Sequence, residues 1–206
     1  MASMLDHLVI ATRDLAAAVE RFAVATGVEP VEGGRHDGRG TRNYLVGLGP
    51  SSYLEIIGPD VERPGSGPAP FGIDELEGDR LLTWAVRPDD IEAAVAVAKA
   101  AGADLGPILP MSRTTPAGEV LSWRLATRHP APYDGIVPFL IDWGTSRHPA
   151  GSGLPSVELL GFGATYPRPD RVSAVLEALE VALPVASGEP GLHATVGGPG
   201  GIYSLS

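Results

Sequence analysis

Three short apolar runs along the chain, His7–Thr12, Leu81–Val86 and Val157–Ala164, have the length and residue types of strands. Each is followed by the pattern Asp-x-x-x-Ala-Val, at Asp14/Ala18/Val19, Asp90/Ala94/Val95 and Asp170/Ala174/Val175. Helical periodicity continues from there: Leu15, Val19 and Phe22 share a face, as do Ile91, Val95 and Ala98, and Val172, Val175 and Leu179. The three aspartates are placed to accept hydrogen bonds from free N–H groups at the helix starts. Gly27 and Gly102 fall where a left-handed C-terminal cap belongs. Behind the first helix come β-like runs at about 28–33, 42–48 and 52–58; behind the second, at about 104–109, 119–127 and 136–143. The third set is shorter, at about 181–187, 192–196 and 201–205. The repeating unit is therefore strand–helix–strand–strand–strand, twice complete and once abbreviated. Residues 1–58 and 81–143 are the two full units, 59–80 and 144–156 are linkers, and 157–206 is the partial third. The expected class is α+β with mostly antiparallel sheets.

Composition fits many short elements. Gly 27 and Pro 20 in 206 residues are about twice the usual share of roughly 12%. With no cysteine, thiol catalysis, disulfides and thiolate metal sites are excluded. A formal net charge of −10, with Lys99 as the single lysine, argues against a nucleic-acid partner. No apolar stretch approaches the ~18 residues of a spanning helix, and the first residues lack the basic and apolar segments of a secretion signal. The expectation is a cytoplasmic protein that is not associated with membranes.

Asp6-His7-Leu8-Val9-Ile10, Asp14 and the helix after it resemble the opening of a vicinal-oxygen-chelate module, and Tyr53–Gly58 resembles its fourth strand. In the second unit, Arg113, Gly118, Trp123 and Arg124, followed by Pro138–Trp143 and His148-Pro149, resemble the glyoxalase-like branch. That resemblance implies paired βαβββ modules curled around a shared cavity, with a divalent metal held by His or Glu from first and fourth strands. Lyases, epimerases, extradiol dioxygenases and drug-sequestering proteins share this scaffold, so fold does not fix reaction.

Alternation places His7, Val9 and Ala11 on one strand face, and Tyr53, Glu55 and Ile57 on another. The resemblance, which places ligands on first and fourth strands, makes His7 and Glu55 the candidate metal ligands or cavity-lining polar groups, with Zn, Fe, Mn or Ni compatible with such a set. In the second unit Thr83 matches His7 and Ile141 matches Glu55, and neither is a good ligand. Asp142 lies one residue away and would need a bulge to turn inward. His148 is the remaining candidate ligand, although its Arg-His-Pro-Ala context recurs at 128–131, which turn chemistry also explains. Glu55 and Asp142 are candidates for moving a proton, and Trp84, Trp123, Arg113 and Arg124 for holding a substrate. Arginines in the segment 33–42 suit an anionic substrate at the cavity mouth or a solvated hairpin. Two functions stay open: a metal-dependent lyase, isomerase or dioxygenase acting on a small oxygen-rich or aromatic molecule, and a metal-free small-molecule binder. The third unit offers strands for a homodimer.

Overall fold

A computed structural model describes residues 3–67 and 69–206. The first unit comprises β1 (Met4–Ala11), α1 (Leu15–Thr26), β2 (Val31–His36), β3 (Thr41–Gly47) and β4 (Tyr53–Pro59). The second comprises β5 (Arg80–Arg87), α2 (Ile91–Ala100), β6 (Ile108–Thr114), β7 (Val120–Ala126) and β8 (Phe139–Asp142). Their strands close into one barrel in the order β1-β4-β3-β2-β6-β7-β8-β5. In both units the first strand runs parallel to the fourth. The two seams between units differ in length. β1 and β5 pair antiparallel from Met4↔Arg87 to Ala11↔Arg80, whereas β2 and β6 meet only at Arg35↔Thr114 and His36↔Arg113.

Closure explains why strands such as β1 are apolar on both faces. Leu8 and Ile10 point outward into a cluster with helix residues Phe22 and Ala98, while Val9 and Ala11 point inward to Trp123, Phe139 and Trp143. Asp14 and Asp90 cap α1 and α2 by accepting from the N–H groups of Ala17 and Ala93. Asp170 does not cap: Arg168 is the N-cap of α3 (Pro169–Ala178), Pro169 is in its first turn, and Asp170 contributes only charge there. Gly27 ends α1 in the left-handed conformation at φ 69°, but α2 is capped by Ala101, with Gly102 one residue beyond. The strand expected at 104–109 lies further on, at Ile108–Thr114.

The third unit, β9 (Glu158–Tyr166), α3, β10 (Val185–Ser187), β11 (Gly191–Gly198) and β12 (Gly201–Leu205), repeats the element order but not the pairing. Its sheet runs β10-β9-β11-β12, so the crossover through α3 returns the chain beside its own first strand. In the barrel units that edge is taken by the fourth strand. The sheet packs on the barrel exterior, where Phe162 meets Trp84 edge to face at 5.0 Å. The segment expected as a plain linker, 59–80, carries a 3₁₀ turn at Pro70–Glu75 that lays Ile73 into the barrel core and Phe71 across its mouth. Among the described residues no helix is long and apolar enough to cross a membrane.

Candidate active site in the barrel cavity

The barrel encloses a cavity of about 290 Å³ whose walls include His7, Glu55, Tyr53, Trp123, Phe139 and Arg113. That volume is near the lower end of the roughly 300–1,000 Å³ usual for ligand pockets. His7 on β1 and Glu55 on β4 both point inward, and His7 Nε2 stands 3.5 Å from Glu55 Oε2. The pairing of parallel neighbours brings them together: His7 is in register with Tyr53, whose ring stacks on the imidazole at 4.6 Å. Phe139 closes the other side of the imidazole edge-on at 5.4 Å. Burial pushes the Tyr53 phenol well above its ordinary value, so this ring serves as a neutral wall.

Behind His7 lies a carboxylate that alternation alone would send elsewhere. The β1–β5 register shifts between Leu5 and His7, and Asp6 occupies the resulting bulge, fully buried. Asp6 Oδ1 is 2.7 Å from His7 Nδ1, while Oδ2 accepts from Trp143 Nε1 at 3.1 Å and faces His148 Nε2 at 3.0 Å. Arg87 adds a guanidinium at 3.5 Å. Burial alone would raise the Asp6 pKa, but the bonds from His148 and His7 outweigh it and hold the group well below its ordinary range. An anionic acceptor at Nδ1 fixes the His7 proton there, leaving Nε2 as the nitrogen that faces the cavity.

A second chain of contacts runs across the interior. Asn43 on β3 donates to Glu55 Oε1 at 2.5 Å and accepts from Arg113 Nη1 at 2.9 Å. Gly33 makes room for it, since a Cβ there would overlap both Arg113 Nη1 and Asn43 Oδ1. His36 sits with Nε2 at 3.7 Å from Glu55 Oε1 and Nδ1 bonded to Thr41 Oγ1 at 3.0 Å. Burial lowers its pKa, favouring the neutral ring.

Of the residues singled out from sequence, His7, Glu55, Trp123, Arg113 and, from the 33–42 segment, Arg39 line this cavity together. The others do not. Asp142 pairs in register with Arg124 without a bulge, so both face outward, and Arg124 donates to Asp142 Oδ2 at 2.6 Å and to Glu92 at 2.6 Å. Arg124 and Asp142 are thus removed from the cavity by the alternation that puts Trp123 inside. Trp84 is buried on the outer face, donating to the Ile136 carbonyl at 2.8 Å. His148 has both nitrogens engaged, Nδ1 by the Ala150 N–H and Nε2 by Asp6, so neither is free for a metal. Asp6, His36, Asn43 and Phe71 were not anticipated. Asn43 did leave a signal, as an amide in phase with Leu45 in a strand-like run.

A catalytic divalent centre ordinarily takes three protein ligands. Among the described residues no group of three or more His, Cys, Asp or Glu is placed to hold a metal ion. Thr83 and Ile141 stand at the second unit's matching positions, and Asn43 already occupies Glu55 Oε1 with the Arg113 cation behind it. The donor set does not fit a resident divalent ion.

A barrel closed by two βαβββ modules around such a cavity defines the vicinal-oxygen-chelate class of proteins. Within that class the chain belongs to the family of the glyoxalase-like domain, which matches residues 5–180. Among solved structures it is similar to a hypothetical protein from Staphylococcus aureus, at 16% identity and TM-score 0.62, covering 98% of this chain and 85% of that one. A mutant 4-hydroxymandelate synthase from Streptomyces coelicolor aligns at 17% identity and TM-score 0.55, over 99% of this chain and 62% of its own. A Streptomyces coelicolor methylmalonyl-CoA epimerase variant in complex with 2-nitronate-propionyl-CoA aligns at 22% identity and TM-score 0.48, over 72% and 100%. These likenesses concern the fold. No curated protein matches the sequence.

Proposed function

We propose that the chain binds a small organic molecule inside the barrel and moves a proton on it, with His7 and Glu55 as an acid–base pair that works without a metal. The observation that carries this reading is the Asp6–His7 hydrogen bond, which aims Nε2 at Glu55 Oε2 across 3.5 Å of cavity. A substrate presented to the two groups from the cavity would meet a nitrogen lone pair of one and a carboxylate oxygen of the other side by side, groups able to take and return a proton. Asp6 positions the imidazole; the Asn43 amide and the Arg113 cation behind it steady Glu55. The aromatic lining around His7 also supports a second reading, sequestration of a ligand without chemistry.

Proton exchange separates the two. Small carbonyl compounds with a hydrogen beside the carbonyl are incubated with the protein in deuterated buffer and followed by NMR. The proposal expects exchange above the buffer rate for compounds that bind, lowered about 10²–10⁴-fold in Glu55→Gln and His7→Ala and unchanged by a chelator. Bound compounds that never exchange would leave sequestration as the function. Exchange that survives both substitutions would remove these residues from it.

A further inference from the structure

Arg113 is a buried cation with most of its binding capacity unspent. It is 4% exposed, yet its Nε has no hydrogen-bond partner, and Nη1 donates to the neutral Asn43 rather than to a carboxylate. Among the described residues no Asp or Glu forms an ion pair with it. An ammonium or guanidinium withdrawn from water without a counter-charge is costly, and natural interiors rarely leave one so. Trp123 lies diagonally across on the neighbouring strand, since Met111, two residues before Arg113, is its register partner. Its indole N–H is likewise buried without an acceptor. Two of the three such orphaned side-chain nitrogens among the described residues therefore line this cavity. At the mouth stands Arg39, whose guanidinium contacts the Met111 sulfur and forms no ion pair among the described residues. In a chain of net charge −10, the cavity wall carries more arginine than carboxylate.

We infer that the cavity takes a monocarboxylate with a flat apolar body, its carboxylate received by Arg113 and the Trp123 N–H. This deepens the reading above, and rests on the same cavity being the working site. β6 and β7, which carry Arg113 and Trp123, lie across the barrel from β1 and β4, which carry His7 and Glu55. Their side chains nonetheless meet inside, because Asn43 bridges Arg113 to Glu55, so a ligand carboxylate received by Arg113 brings the atoms next to that carboxylate up to the acid–base pair. One buried guanidinium and one indole donor suit a planar, singly charged group; a phosphate would call for more cations and more donors. The body is apolar and flat because Phe139, Phe71 and Ile141 offer it apolar surfaces on the same wall, two of them aromatic rings. The single negative charge of Glu55 is outnumbered by the guanidinium groups of the same cavity wall, Arg39, Arg113 and Arg128.

Calorimetric titration of the whole chain tests the inference, with phenylacetate, its neutral isostere phenylacetamide, and inorganic phosphate as probes. Phenylacetate is expected to bind at least about tenfold more tightly than the amide, as a charge-assisted hydrogen bond allows, and phosphate is expected not to compete. Trp123→Phe keeps the ring and removes the donor, and should weaken the acid several-fold and the amide by less, since a hydrogen bond to a charged acceptor is the stronger; Arg113→Met should abolish the preference for the acid. The comparison of probes on the unaltered protein needs no variant to fold. Equal affinity for acid and amide, tighter phosphate, or no saturable binding of the acid up to roughly 10 mM would overturn the carboxylate assignment. Acid-selective binding without proton exchange would instead retain it and defeat the acid–base reading.

Discussion

Replacing Asp6 by Asn keeps the shape of the buried group and removes its charge, and the structure says how the amide must turn. Oδ2 faces the N–H donors of Trp143 and His148, whereas Oδ1 faces only His7. The amide oxygen therefore takes the side with two donors, and the amide NH₂ is left against His7 Nδ1. That nitrogen can remain in contact only by becoming the acceptor, which moves the ring proton to Nε2 and into the cavity. Three hydrogen bonds lose charge assistance, at roughly 0.5–1.5 kcal/mol each, and part of this is offset because an amide is cheaper to bury than a carboxylate. The net expectation is a loss of about 2–3 kcal/mol, read in urea as a lower midpoint with an unchanged slope. Nitrogen NMR of labelled histidine should report the switch from Nδ1–H to Nε2–H, and exchange activity should fall about 10²–10⁴-fold. The stability difference also depends on pH in a definite sense. Folding depresses the Asp6 pKa below its ordinary 3.8, so its contribution is fully present above that value and is lost as pH falls through the folded one. The gap between wild type and Asp6→Asn should consequently narrow below about pH 4. An unaltered histidine tautomer, or a variant as stable as wild type at neutral pH, would refute the assignment of Asp6 as the group that orients His7.

Gly33→Ala drives a methyl into the space that Arg113 and Asn43 share, and should cost about 1–3 kcal/mol together with weakened phenylacetate binding in the titration described above. Trp84→Phe removes the donor to the Ile136 carbonyl on the outer face; a loss of about 1–3 kcal/mol in urea unfolding is expected, with ligand affinity unaffected. Asp142→Asn breaks an outward-facing pair with Arg124, and should change stability by less than about 1 kcal/mol and leave proton exchange as it was.

The modular pattern was legible because its signals are local: apolar alternation, an aspartate before each helical stripe, glycine and proline between short runs. Alternation also grouped His7 with Val9 and Ala11, and Glu55 with Tyr53 and Ile57, and set Trp123 and Arg124 on opposite faces. What escaped depends on register and on contacts between distant segments. Asp6 reaches His7 only because a bulge interrupts the pairing with β5, and nothing in the Asp-His dipeptide encodes that. Asp142 stays outside because no bulge occurs where one was needed. Phe71 belongs to a stretch whose Pro and Gly content reads as linker, yet its neighbour Ile73 is buried in the barrel core. The third unit repeats the element order of the first two, and only the strand pairing reveals that its sheet is wound differently.

The unequal seams of the barrel bear on how anything enters it. Along β1 and β5 the ladder is long, but β2 and β6 are stitched at Arg35↔Thr114 and His36↔Arg113 alone. Thermal fraying should begin at the short stitch, where amide protons exchange with solvent well before those of β1. Because that stitch includes Arg113 itself, loss of its two pairings would bare the cavity wall beside the buried cation, while the pairing of Arg113 with Leu121 on β7 would keep the cation in place.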